Sequence, residues 1–249
     1  MRKRLIPVLL IDNKHRLVKT VNFGKRTYIG DPFNVVRLFN EKEVDELCVL
    51  DIDASREGRP PDFGFINELA SECFMPLSYG GGISTVTDCE TLNRSGVEKF
   101  ILGKNVFNTD FVRNLCKNFG SQAVVACLDV IGSVENAQCL NNNQLITERL
   151  DSLCKKLEDE GVGEIIIQSI DRDGLRAGYD LKLISWLSSA VNVPLVALGG
   201  AGNYKDLSEV ISVGASAAAS GSVFTFVGRL RAVLINYPDL NNRFERVDF

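Results

Sequence analysis

The 249 residues, 45% apolar and 24% charged, have the make-up of a globular protein, and α/β barrels of about this length form one domain. A net charge of −4 without a long run of Lys or Arg argues against nucleic acid or an acidic membrane surface as the main partner. The apolar runs, such as 5–11 and 164–167, are strand-sized and too short to span a bilayer, and the start MRKRLIPVLLID has neither the apolar length nor the cleavage site of a signal peptide, so a cytoplasmic location is expected.

In chain order, short apolar, mostly β-branched runs predict strands over 4–10, 46–52, 76–80, 99–103, 123–129, 164–170, 194–199 and 215–220. Helical spacing lies between them. Asp31-Pro32 ahead of Val35, Val36, Leu38 and Phe39 supplies an N-cap and a first-turn proline. Leu150, Leu153, Cys154 and Leu157 form a stripe that stops at Gly161, and Leu181, Leu183, Ile184 and Leu187 form another. Several strands are continuously apolar, as when both faces are covered. Eight such units predict an α/β protein, a single (β/α)8 barrel over 1–249, with an open doubly wound sheet as the alternative.

The halves echo each other at an offset of 119 residues: Gly80 with Gly199, Gly103 with Ser222, Leu10 with Asp129. This points to a duplicated half-barrel. Three strand ends are rich in small residues: Gly80-Gly81-Gly82, Gly199-Gly200-Ala201-Gly202 and Ser220-Gly221-Ser222. Such turns aim backbone N–H groups at an anion, and the following helix adds partial positive charge. The plain alternative is tight turns with no ligand. Two turns at equivalent places favour a ligand with a phosphate at each end, and neither turn is a nucleotide motif. The seven cysteines are scattered without a CxxC pair, and His15 is the only histidine. Reduced thiols, a solvated His15, no metal site and no cofactor are therefore expected.

RLIPVLL, RLVKTVNF, DELCVLDIDAS, YGGGIS, FGSQAVVACLD, GVGEIIIQSIDRDG, GYD and LGGAGN, in this order over about 4–228, together resemble the cyclase subunit of imidazole glycerol phosphate synthase. The resemblance implies a barrel for a bis-phosphorylated ligand, with a glutaminase docked at the strand-start face and sending ammonia through the axis. It implies substrate contacts by Lys19, Asp51, Gly81, Gly82, Asp173, Gly174, Gly200 and Ser222, and an ammonia gate of Arg4, Glu46, Lys99 and Glu164. Gly202 and Gly221 join the anion turn.

The sequence also departs from the family. Gly103-Lys104 replaces an Asn-Thr pair, leaving Lys104 as a different anion contact, and the excursion VENAQCLNNNQL is shortened and has lost a Thr-Gly. The family moves protons with two aspartates, at the ends of strands 1 and 5. Asp129 matches the second, but Leu10 stands at the first. Asp12, two residues on and on the same side of an extended chain, is the candidate replacement; otherwise it is a solvated loop residue, the reading favoured here.

LLIDNKHRLVKT and the tail GSVFTFVGRLRAVLINYPD resemble a branch associated with acetamidino modification of bacterial surface polysaccharides such as lipopolysaccharide O-antigen. The partners implied are a glutaminase and a separate amidotransferase. The alternatives are a true histidine-pathway cyclase and a non-catalytic scaffold that activates a glutaminase.

Overall fold

The computed structural model describes residues 3–142, 144–228 and 230–238. Eight parallel strands form a closed barrel: β1 (Arg4–Ile11), β2 (Leu47–Asp51), β3 (Leu77–Gly80), β4 (Lys99–Leu102), β5 (Val124–Ile131), β6 (Glu164–Ser169), β7 (Leu195–Leu198) and β8 (Ala217–Ser220). Each pairs with the next, and β8 closes on β1 with Arg4 opposite Ala217. The closed ring excludes the open doubly wound sheet.

Between the strands run α1 (Pro32–Glu41), α2 (Phe63–Ser71), α3 (Val86–Arg94), α4 (Thr109–Phe119), α5 (Leu150–Asp159), α6 (Leu181–Ala190) and α7 (Tyr204–Ser212). Asp31 caps α1 by accepting from the Asn34 amide, with Pro32 in the first turn. After β8 the described chain forms a short hairpin, Phe226–Val227 against Ala232–Val233.

The two halves match beyond the sequence offset. β1 and β5 each continue into an antiparallel excursion, with Leu10 opposite Val18 and Asp129 opposite Leu140. That continuation carries β5 two residues past its expected end, to Ile131. α3 and α7 each open on a capping box, Thr85 with Asp88 and Asn203 with Asp206.

Alternation along the strands sorts apolar side chains into two cores. One lies between strands and helices around Phe39, Phe100 and Phe224. The other fills the barrel axis with Ile6, Val8, Cys48, Ile101, Val125, Ile166, Val196 and Leu198. Ala217 and Ala219, the inward residues of β8, contribute only small side chains to that second core. All seven cysteines are unpaired and four of them are buried. No helix among the described residues is long and apolar enough to cross a membrane.

Candidate functional site at the two mouths of the barrel

At the strand-start mouth, Arg4, Glu46, Lys99 and Glu164 close into a ring. Arg4 donates 2.5 Å hydrogen bonds to Glu46 Oε2 and to Glu164 Oε1. Lys99 Nζ donates at 2.8 Å to each of the same carboxylates. The four side chains are 6–19% exposed, so the charges are largely desolvated. Burial opposes the Arg4 charge, yet hydrogen bonds and charge from Glu164 and Glu46 outweigh it and raise its pKa. Two cations bridging two anions leave no lone charge, the condition under which buried ion pairs are tolerable.

Above the ring lies an axial cavity of about 10 Å³ lined by Ile6, Cys48, Ser78, Ile101, Val125 and Ile166. That is room for about one water-sized molecule. The Ser78 hydroxyl is turned to the Leu47 carbonyl at 3.2 Å. Burial pushes the Cys48 thiol up to about 12, so it carries no charge into the axis. Leu10, Leu50 and Cys127 pack on the far end of this core.

At the strand-end mouth, a cavity of about 30 Å³ gathers Leu10, Lys19, Thr20, Gln168, Asp173, Gly174, Gly199, Gly200, Gly221 and Ser222. Lys19 reaches in from the hairpin after β1 and donates to the Val8 carbonyl at 2.7 Å. Burial pushes its ammonium down to about 7, against the opposing charge of Asp173. Gly221 is what admits it: a Cβ there would lie 2.6 Å from Lys19 Nζ. Gly200, with φ +112°, crosses so close to the Gly178 carbonyl that a side chain would clash. Among the described residues, the Gly200 and Gly221 amides have no acceptor. Asp173 accepts from Thr20 Oγ1 at 2.9 Å and from Gln168 Nε2 at 3.5 Å. Burial raises its pKa, against hydrogen bonds from Thr20 and the Phe23 amide.

Asp129, on β5, accepts no side-chain hydrogen bond among the described residues. Burial pushes its carboxyl up to about 6, and the charge of Asp173 adds to the shift. A group that titrates near neutrality is suited to moving a proton. Leu10, its counterpart in the first half, lines the cavity with an apolar side chain.

Asp12 is neither of the things expected of it. It is 2% exposed, so it is no solvated loop residue, and it lies off the cavity lining. β1 ends at Ile11 and the chain turns at once, so strand parity no longer applies to Asp12. Its carboxylate accepts from the Lys14 and Arg16 amides at 3.0 and 2.9 Å and from Arg16 Nε and Nη2 at 2.9 and 2.7 Å. Burial acts to raise its pKa, but these bonds win and lower it. Asp12 anchors a turn. His15 is exposed, as expected, and it stacks on Phe65 with centroids 4.3 Å apart and meets Asp62 at 3.0 Å.

Of the expected first-half contacts, Asp51, Gly81, Gly82 and Lys104 are not part of that cavity. Asp51 accepts from the Asp53 and Ala54 amides at 2.9 and 2.8 Å, with Arg59 3.5 Å away. Lys104 is exposed at the start of a 3-10 turn, without an ion pair among the described residues. Two of the expected anion-binding glycines have their amides engaged already: Gly82 donates to Ser55 Oγ at 3.1 Å, and Gly202 to Asp206 Oδ2 at 2.6 Å. Sequence reasoning also missed Asp53. Fully buried, it receives both Arg26 Nη atoms at 2.6 Å, Arg56 Nη2 at 2.5 Å and the Asn13 amide at 3.0 Å. The Arg26 hydrogen bonds, ahead of the opposing effect of burial, hold its pKa down at about 2. Asp53 thereby clamps the hairpin after β1 to the turn after β2. The acids of DIDAS at a strand end were the available signal.

Residues 4–230 match the family model described as histidine biosynthesis protein. A Vibrio vulnificus protein provisionally named imidazole glycerol phosphate synthase subunit hisF3 is 45% identical, covering 96% of this chain and 94% of that protein. A Pseudomonas aeruginosa protein, provisionally named as subunit hisF2, is 44% identical over 97% and 98%. A Leptospira interrogans protein, provisionally named as subunit HisF, is 41% identical over 98% of both. The chain belongs to the histidine biosynthesis protein family, as a barrel of the HisF type named for a subunit of imidazole glycerol phosphate synthase.

Proposed function

We propose that this barrel delivers ammonia. A glutaminase docks at the strand-start face, where exposed Glu98 stands beside the ring. Neutral ammonia passes the ring, crosses the apolar axis and leaves at the strand-end mouth. There a separate amidotransferase takes it up to convert an acetamido sugar to an acetamidino sugar for a surface polysaccharide. The observation that carries this reading is the closed ring of Arg4, Glu46, Lys99 and Glu164 beneath an axial cavity with room for about one water-sized molecule. Leu10 supports it, because the mouth lacks the second carboxylate with which the family's cyclases move protons. A phosphorylated ligand fits the free amides of Gly200 and Gly221 beside Lys19.

The test is reconstitution with a co-expressed class I glutaminase and amide-labelled glutamine. Label reaching an acetamido sugar through the amidotransferase, in preference to external ammonium, supports the proposal. A barrel that stimulates the glutaminase while no ammonia emerges is a scaffold only, and sinks it.

A second reading, the histidine-pathway cyclase, is favoured by one observation: Asp129 is held near neutrality beside Asp173. Glutamine-dependent turnover of the bis-phosphorylated pathway substrate, lost in Asp129→Asn, would establish it.

A further inference from the structure

An open cavity of about 490 Å³ shares no lining residue with the axial cavity or with the one at the strand-end mouth. Its volume falls within the roughly 300–1,000 Å³ of small-molecule sites. It forms where the hairpin after β1, Leu17–Lys19 against Thr27–Gly30, stands beside α1 and α2.

Aromatic rings supply much of its wall. His15 lies flat on Phe65, with ring planes 10° apart, and Phe33 meets Phe65 edge-on at 5.7 Å. Tyr28 is 60% exposed, a large share for an aromatic ring, and the Arg16 guanidinium lies 5.9 Å from its centroid. His15 and Tyr28 thus border the cavity with open ring surface. A planar group placed there gains burial and ring–ring contact together.

The charges of the cavity are divided by origin. The cations, Lys14 and Arg16, come from the turn that leads out of β1. The carboxylates come from the helices: Asp31 caps α1, and Glu68 stands one turn after Phe65 on α2. Among the described residues, the Lys14 ammonium and the Glu68 carboxylate have no hydrogen-bonding or ionic partner, so they share one cavity without pairing. Arg16 gives Nε and Nη2 to Asp12, and Asp31 accepts from the Asn34 amide through one oxygen, which leaves each an uncommitted atom.

This division selects among ligands. A nucleotide would bring its phosphate against Asp31 and Glu68, and a simple cation would meet Lys14 and Arg16. A purely apolar guest would desolvate charges of both signs without replacing their water. A ligand with one charge of each sign beside a planar body satisfies the turn, the helices and the rings at once.

We propose that this cavity is a binding site for a free aromatic amino acid. Its carboxylate meets Lys14 and the open side of Arg16, its ammonium meets Glu68 and Asp31, and its ring lies against His15 and Tyr28. Tyr28 pairs with Val18, next to Lys19, so the bound amino acid ties the hairpin that carries Lys19 to α1 and α2. The site does not depend on ammonia delivery.

Amide NMR of the whole chain, titrated with L-phenylalanine, L-tyrosine and L-tryptophan, tests this, with Gly30 and Gly64 as reporters because both line the cavity. At least one of the three should shift both amides saturably. Phenylpropionate, which lacks the ammonium, and phenethylamine, which lacks the carboxylate, should each bind at least about tenfold more weakly than L-phenylalanine, as for the loss of one charged hydrogen bond. Lys14→Gln should weaken L-phenylalanine and leave phenethylamine unchanged. Glu68→Gln should weaken L-phenylalanine and leave phenylpropionate unchanged. Both side chains are exposed, so neither change disturbs packing. Absence of a saturable shift with any of the three amino acids at millimolar concentration overturns the proposal. So does phenylpropionate binding as tightly as L-phenylalanine, or a nucleoside monophosphate shifting both amides where the amino acids do not, since either result makes the site one for a simple anion.

Discussion

At the strand-start end, Arg4 and Lys99 each bridge both Glu46 and Glu164, whereas at the strand-end side, among the described residues, Lys19 donates only to the Val8 carbonyl and no side chain hydrogen-bonds Asp129. The charges of the ring are matched among themselves, with only Arg4 Nε of the ring left without a hydrogen-bond partner among the described residues. The strand-end groups are buried without full partners, and burial has moved Lys19 to about 7 and Asp129 to about 6. One end is thus a finished structural element, and the other is poised to change protonation when something binds. Each prediction that follows perturbs one end and asks whether the other notices.

The largest effect is expected at the strand-end mouth. With Leu10 in place of an acid and Asp12 held by Arg16, Asp129 has no partner for acid–base work. Turnover of the histidine-pathway substrate with ammonium should be roughly 10²–10⁴-fold below that of a barrel with both carboxylates. Leu10→Asp should recover only a trace, because the Gly103-Lys104 turn and the shortened excursion after β5 also differ. Full turnover by the wild type would erase the contrast between the ends.

Next comes the ring. Lys99→Met leaves Glu46 and Glu164 with Arg4 alone. Stranding half-compensated buried charge costs about 3–5 kcal/mol in full burial. Exposure of 19% at Lys99 discounts this to roughly 2–4 kcal/mol by the same principle. Urea unfolding at pH 7 measures the loss, and a variant within 0.5 kcal/mol (about the noise of a surface change) would show the ring is ornamental. Anion binding at the strand-end cavity should stay unchanged.

The contrast between the ends was unevenly legible in the sequence. The ring was read from the resemblance, which matched Arg4, Glu46, Lys99 and Glu164 to a charged gate; the barrel gives the physical reason, since all four fall at strand starts, where period-2 alternation places them inward below Ile6, Cys48, Ile101 and Ile166. The eight strands were legible from the residues themselves, since buried parallel strands are continuous apolar runs. The strand-end mouth resisted because its geometry is made by turns. Whether Asp12 faces the cavity depends on β1 stopping one residue earlier. Whether a glycine amide is free depends on partners brought by tertiary approach, as Ser55 is to Gly82 across 27 positions. Arg26 likewise reaches Asp53 over 27 positions. The Gly202 case was legible in principle, because Asn203 and Asp206 form a local capping box.

A smaller effect separates the ends by pH. Burial raises Asp129 from 3.8 to about 6, so ionising it opposes folding. The opposition is absent below the unfolded value near 4 and develops fully as pH rises past about 6. Asp129→Asn should therefore be more stable than wild type by about 1–3 kcal/mol at pH 8, converging toward it near pH 4. Denaturant melts at the two pH values test the sign. A destabilised variant at pH 8 would mean that Asp129 has a partner in solution.

The smallest effect concerns anions, and it compares the two halves within the strand-end mouth. Sulfate is the probe, because its own charge does not change near neutrality. At the Gly200–Gly221 turn it would meet two unengaged amides and Lys19, and its charge would stabilise the Lys19 ammonium that burial disfavours. Binding is then coupled to proton uptake wherever free Lys19 is neutral. Affinity should be flat below pH 7 and fall above it, by at most about tenfold per pH unit for one coupled proton. Lys19→Met should bind more weakly and lose the slope. At the Gly81–Gly82 turn the Gly82 amide is already given to Ser55 and no buried lysine stands in the turn, so binding there should be weaker and without that slope. Amide shifts of these glycines, followed by NMR at pH 6, 7 and 8, separate the sites. Equal affinity at both turns, with no pH dependence at either, would mean that Lys19 does not read the anion and that the pocket is built for an uncharged guest.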